Sequence, residues 1–384
     1  MIKKKFIALL MFFYSIPFYT QEFQNYTVLN EFYSHEEIQF IEDKLSGFDF
    51  FVIGEEHYAK GNIEVQLMLF KYLHNNKNVN HLLIEQGNSL AILLNLYLKT
   101  GDEKIFDRIW FMKMDIVFFS KLKAYYDSLP KNRKFIIHGV DYEKKGIEFV
   151  EIAILKIVEY LIQNKAVLSE HTLDYIKNKE FKYGNLGSDY YKHDAIQEIF
   201  SFLSEIEKNP NLHKEEFGEY YEDLLALYRA LKVDVKGVKY KENTFHPLRE
   251  DREKLIYNQI IELKKLYPND RFFCVFGTAH IPLKAHEDWV KFIRFESFIT
   301  KLNTYADSPF NSKILSILPL YKSCIPRWKK SYVKKHIGLN KTQMNELDEK
   351  SKGNLFTLFE YPNETEEQKK FRKEYYQMIL INRY

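Results

Sequence analysis

Asp49–His57 reads DFFVIGEEH: four consecutive apolar residues, Phe50 to Ile53, then Gly54, then Glu55, Glu56 and His57. The apolar positions are adjacent rather than alternating, and the run is short, aromatic and β-branched. Such a run forms a strand buried on both faces, as in a parallel sheet. Three further stretches share this form: His81–Glu85 (HLLIE), Lys134–Val140 (KFIIHGV) and Arg271–Gly277 (RFFCVFG). Between the first two, Ile63, Leu67, Phe70 and Leu73 recur at helical spacing, which predicts a β-α-β unit with a right-handed crossover and Asn62 as the helix cap.

Further helices are expected over Glu148–Gln163, Ala195–Ile206, Glu216–Leu231 and Arg249–Leu266, the last ending at Tyr267-Pro268-Asn269-Asp270. No strand is legible from about residue 165 to 245, a charged, Tyr-rich stretch of helical pattern. The chain is therefore expected to be α/β: a mostly parallel central sheet flanked by helices, with a helical insertion between the third and fourth strands. Ile314–Tyr321, Leu355–Phe359 and Tyr376–Ile381 are candidates to extend the sheet at its edges, with Pro319 counting against the first.

The 384 residues suit one large unit with an insertion, here 21–384, and 32 Phe and 28 Tyr supply ample apolar surface for a core. Residues 1–20 have the form of an export signal: Lys3-Lys4-Lys5, the apolar Phe6–Tyr14, then Ser15-Ile16-Pro17. Export to the periplasm or outside the cell is expected, with an uncleaved anchor as the alternative. No later stretch is long and apolar enough to span a bilayer. A net charge of +3 from dispersed residues gives no footprint for nucleic acid. The basic run Lys322–Lys335 reads as a solvated face. Cys274, inside an apolar run, is expected to be a buried free thiol rather than bridged to Cys324.

Each strand-like run ends in polar groups: Glu55 and His57 after the first, Glu85 after the second, Asp141 after the third, His280 after the fourth. In a parallel sheet these carboxyl ends share one edge, where ligands bind. A neutral imidazole serves there as a base or metal ligand, and a neighbouring carboxylate sets its tautomer. Each residue alone has an ordinary alternative. His57 reads equally as a turn residue, Glu85 as the cap of the helix after Asn88, and Asp141 as a loop residue. Their coincidence at four strand ends favours a site. His138, inside a strand, is expected to pack in the core. The chain lacks a Gly-x-Ser-x-Gly elbow, a Walker A loop, a strand-borne Gly-x-Gly-x-x-Gly, Cys-x-x-Cys and His-Glu-x-x-His.

GEEH at Gly54–His57, IEQG at Ile84–Gly87, HGVD at His138–Asp141 and GTAH at Gly277–His280 resemble the erythromycin esterase-like superfamily, which includes ChaN-like haem-binding and TraB and Tiki proteins. The resemblance implies a hydrolase acting on an ester, lactone or amide in a small molecule or peptide. His57 would be the base that activates water and Glu55 its partner, with Glu85, Asp141 and His280 lining the cleft. The Tiki branch implies instead a divalent metal, Zn, Mn or Co, held by His57 and His280. The ChaN branch implies a haem or metal binder without catalysis, with Tyr58 as an axial-ligand candidate. Arg249 matches the family's arginine near this point, as a substrate or oxyanion clamp, although the spacing differs. Tyr58 stands where the esterases place Gly.

Overall fold

The computed structural model describes residues 26–28, 44–56, 59, 61–106, 116–143, 147–177, 193–238, 247–285, 296–321, 341–360 and 375–383. Their strands are β1 (Tyr26–Val28), β2 (Phe50–Glu55), β3 (Val79–Gly87), β4 (Ile136–Asp141), β5 (Arg271–Gly277), β6 (Ile314–Tyr321), β7 (Phe356–Glu360) and β8 (Met378–Asn382). They form one eight-stranded sheet in the order β1-β7-β8-β6-β2-β5-β3-β4. Every pairing from β8 to β4 is parallel, and β7 pairs antiparallel with both β8 and β1. The expected α/β class and all four strands ending in the candidate site residues are present.

The helices are α1 (Asn62–Lys77), α2 (Asn88–Thr100), α3 (Ile116–Ser128), α4 (Ile147–Gln163), α5 (Glu170–Lys177), α6 (His193–Lys208), α7 (Pro210–Phe217), α8 (Tyr221–Val238), α9 (Pro247–Leu266), α10 (Phe298–Thr304) and α11 (Lys341–Lys350). Successive strand residues face opposite ways. Phe51, Ile53, Phe273 and Val275 join a core with α1, α2 and α4, while Phe50, Val52, Phe272, Cys274 and Phe276 join another with α9 and α10. Each fully buried Phe contributes about 1.5–3 kcal/mol by leaving water. Cys274 is a buried free thiol, and burial holds its pKa well above the ordinary value.

Several expectations need correction. Asn62 does not cap α1. Gly61 holds that position in a left-handed conformation, and the Asn62 amide donates instead to the Glu56 carbonyl at 2.8 Å. The helix expected over Glu216–Leu231 is two helices, α7 and α8, divided at Gly218, whose φ of 54° suits glycine and stops α7. β6 lies inside the sheet rather than at its edge. Its pairing with β2 ends at Ile317, so Pro319, two residues on, faces β8 alone and its missing N–H breaks no bond to β2.

The insertion, α5 to α8, meets the rest of the fold through α8. α8 packs on α2, which belongs to one core, and on α9, which belongs to the other, and both of those helices pack on β4. Where β3 pairs with β4, a bulge in β3 between Ile84 and Gly87 brings two backbones together. A Cβ on Gly139 would lie 2.1 Å from the Gly87 carbonyl oxygen, so glycine is required in HGVD. Gly139→Ala is therefore expected to lower unfolding stability by about 1–3 kcal/mol in chemical denaturation.

His138 is a core residue as expected. Its Nε2 meets His81 Nδ1 at 2.9 Å, and His81 Nε2 meets Asp270 Oδ2 at 2.8 Å. Burial lowers both imidazole pKa values, and for His138 the neighbouring His81 adds to the effect. The unfolded chain takes up protons near pH 6.5, whereas the folded chain resists them, so unfolding stability falls as pH drops below about 6.5. Replacing His138 with Leu is expected to make that acid slope shallower in denaturation curves measured across the same range.

Candidate functional site

In the sheet order, β2, β5, β3 and β4 are neighbours; Glu55, Gly277 and Asp141 end three of these strands, and Glu85 lies two residues before the end of β3. One turn of 3-10 helix, Thr278–His280, follows β5 and keeps His280 at the same edge. The chain leaves β2 on one side through α1 and returns from β5 to β6 on its other side, the kind of switch point at which such sheets bind ligands.

At the centre is Arg252 of α9. Its Nε donates to Asp141 Oδ1 at 2.8 Å and one terminal nitrogen to Asp141 Oδ2 at 2.7 Å, a bidentate pair with a carboxylate that is 0% exposed. That nitrogen also donates to Glu85 Oε1 at 2.8 Å, and the other meets His280 Nε2 at 3.3 Å. Burial opposes the guanidinium charge, but the Asp141 hydrogen bonds and the charges of Asp141, Glu85 and Glu253 outweigh it and raise the Arg252 pKa. The Tyr142 ring lies 5.6 Å from the guanidinium carbon.

Three of the expected residues, Glu85, Asp141 and His280, thus converge on one cation. Glu85 is not the cap of α2: its second oxygen accepts from the Gly277 N–H at 2.7 Å, bridging β3 to β5. The cap role falls to Glu143, two residues past β4, whose carboxylate accepts from the Ser89 N–H at 3.2 Å and from the Ser89 hydroxyl. Gly87 leaves room for it, since a Cβ there would lie 2.3 Å from Glu143 Oε2. Glu55 stands at the same edge but takes a different partner, accepting from Gln66 of α1 at 3.1 Å.

His57 and Tyr58 lie outside the described residues, as does the Arg249 side chain, whose backbone is in α9 one turn before Arg252. Arg252, Glu253 and Glu143 are not among the site residues expected from the sequence. A signal for the first two was present. The buried stripe Ile256 and Ile260 of α9, continued back by three and four residues, lands on Glu253 and Arg252. Glu143 has no such periodic marker.

The described residues do not fit a metal at His280. Its Nε2 faces the Arg252 guanidinium and its Nδ1 lies 2.8 Å from Glu253 Oε1, so a Zn, Mn or Co ion there would displace an N–H donor and sit beside positive charge. Among the described residues no group of three or more His, Cys, Asp or Glu side chains is arranged as a metal site.

No protein-family model matches the chain, and no curated protein matches it in sequence. Solved structures do. A succinoglycan biosynthesis protein superposes with a TM-score of 0.62 at 13% identity, over 94% of each chain. A mutant of the erythromycin esterase EreC in its open conformation does so with a TM-score of 0.54 at 11% identity, over 93% of this chain and 97% of that one. A protein from Bacillus cereus follows with 0.53 at 14% identity, over 93% of each. The fold is the one that the sequence motifs imply.

Glu143→Ala would leave the Ser89 N–H and hydroxyl without their buried acceptor. The expected loss in unfolding stability is about 1–3 kcal/mol, measured by denaturant titration.

Proposed function

We propose that this chain is an exported hydrolase of the erythromycin esterase-like type, cleaving an ester, lactone or amide with water activated at His57. The observation that carries the reading is the array of Asp141, Glu85, Arg252 and His280 across adjacent strand ends of this fold. An immobile set of charges at a ligand-binding edge can stabilise developing charge without reorganising at the moment of reaction.

His57 follows Glu55, the last residue of β2, by two positions in sequence. As base it takes a proton from water while the oxygen attacks the carbonyl carbon. It returns that proton to the departing alcohol or amine when the tetrahedral intermediate collapses. Glu55 would orient His57 and stabilise its charged form. Because Asp141 and Glu85 already engage Arg252, that residue's part is to hold the array, and Arg249 is the candidate clamp on substrate or oxyanion. The apolar segment after Lys3-Lys4-Lys5 supports export, and among the described residues no helix is long and apolar enough to cross a membrane.

Screening the purified chain against lactones, esters and amides tests this. His57→Ala and His280→Ala are each expected to lower turnover on the order of 10²-fold or more while circular dichroism is unchanged. Undiminished activity in both variants would sink the proposal. A Soret band on adding haem to a chain that hydrolyses nothing would favour the haem-binding alternative. Because the described residues do not suit a metal at His280, turnover is expected to survive chelation. Loss of activity together with stoichiometric metal, read by mass spectrometry, would refute that expectation.

A further inference from the structure

Arg252 and Glu253 are consecutive in α9, yet both reach the same imidazole. Arg252 approaches His280 at Nε2, 3.3 Å away, and Glu253 approaches at Nδ1, 2.8 Å away. A guanidinium carries only donors and does not lose its proton in proteins. Nε2 must therefore be the lone-pair nitrogen, since a proton there would point one N–H at another. A neutral ring with an accepting Nε2 carries its hydrogen on Nδ1, the atom facing the Glu253 carboxylate.

Glu253 is itself tightly constrained. It is 0% exposed, and its other oxygen accepts from the Phe298 N–H at 2.8 Å, at the start of α10. A buried carboxylate is costly unless its oxygens are engaged; here one takes the backbone N–H, and the other lies 2.8 Å from His280 Nδ1, at ion-pair distance without the alignment of a full hydrogen bond. Packing of Phe276 and Phe298 around the imidazole limits how it can turn.

We propose that Glu253 is the positioning residue for His280: it fixes the imidazole as the Nδ1–H tautomer and so presents Nε2 to the strand-end cleft as a hydrogen-bond acceptor. His280 then meets a ligand as an acceptor rather than as a donor, and an entering hydroxyl or water takes the place of the Arg252 N–H. Glu253 touches no part of that cleft chemistry directly and acts through the ring. The assignment deepens the hydrolase reading but does not need it, because the tautomer is read without substrate.

Nitrogen-15 NMR of the histidine-labelled full chain tests it, with the His280 signals identified by their absence in His280→Asn. A pyrrole-type Nδ1 and a pyridine-type Nε2 are expected for the unsubstituted protein. In Glu253→Gln the amide oxygen keeps the Phe298 N–H and the amide nitrogen turns its hydrogens on Nδ1 while Arg252 still donates to Nε2, so the ring loses its single tautomer and the two signals are expected to move toward each other. A pyrrole-type Nε2 in the unsubstituted protein overturns the proposal even if the variant does not fold, and so does a folded variant whose ring keeps the Nδ1–H form. Where turnover is found, Glu253→Gln is expected to lose kcat with KM little changed. A tautomer that stands while no hydrolysis is found would separate this assignment from the hydrolase reading.

Discussion

The bidentate pair between Arg252 and the fully buried Asp141 is the contact around which the strand-end site is organised. Removing one member would strand the other's charge in a place that water barely reaches, a cost of about 3–5 kcal/mol for a buried pair. The pair also ties α9, on one face of the sheet, to the end of β4. Through its remaining N–H groups Arg252 draws in Glu85 from β3 and His280 from beyond β5. Segments more than a hundred positions apart in sequence are thus set in one arrangement by a single planar cation.

Around that cation the backbone yields where it must. The β3 bulge brings Gly87 against Gly139, and the space over Gly87 is filled by the Glu143 carboxylate that closes the start of α2. The glycines of IEQG and HGVD are thus explained by close approach rather than by turn geometry. The imidazole is bracketed in the same economical way, with a donor on one side and a carboxylate on the other, both supplied by neighbouring residues of one helix.

Much of this was legible in the sequence because it rests on local pattern. Continuous apolar runs gave away the buried strands, and polar residues at their ends gave Glu85, Asp141 and His280. What escaped depends on tertiary contact. Arg249 is the arginine that the resemblance offers, and only packing on Asp141 singles out Arg252. Glu85 is the cap candidate that the sequence offers for α2, and Glu143, far away in the chain, takes that role by a tertiary contact that no periodicity reports. Pro319 counted against Ile314–Tyr321 as a strand because a strand N–H usually pairs with a neighbour. β6 escapes that rule because its pairing with β2 stops at Ile317, before Pro319.

A double-mutant cycle on Asp141→Asn and Arg252→Gln, read as unfolding free energies, tests the organising role of this pair most directly. The account predicts that the two residues are coupled by about 2 kcal/mol or more, because each substitution alone leaves a buried partner unmatched. Coupling near zero, with the two losses simply adding, would contradict it.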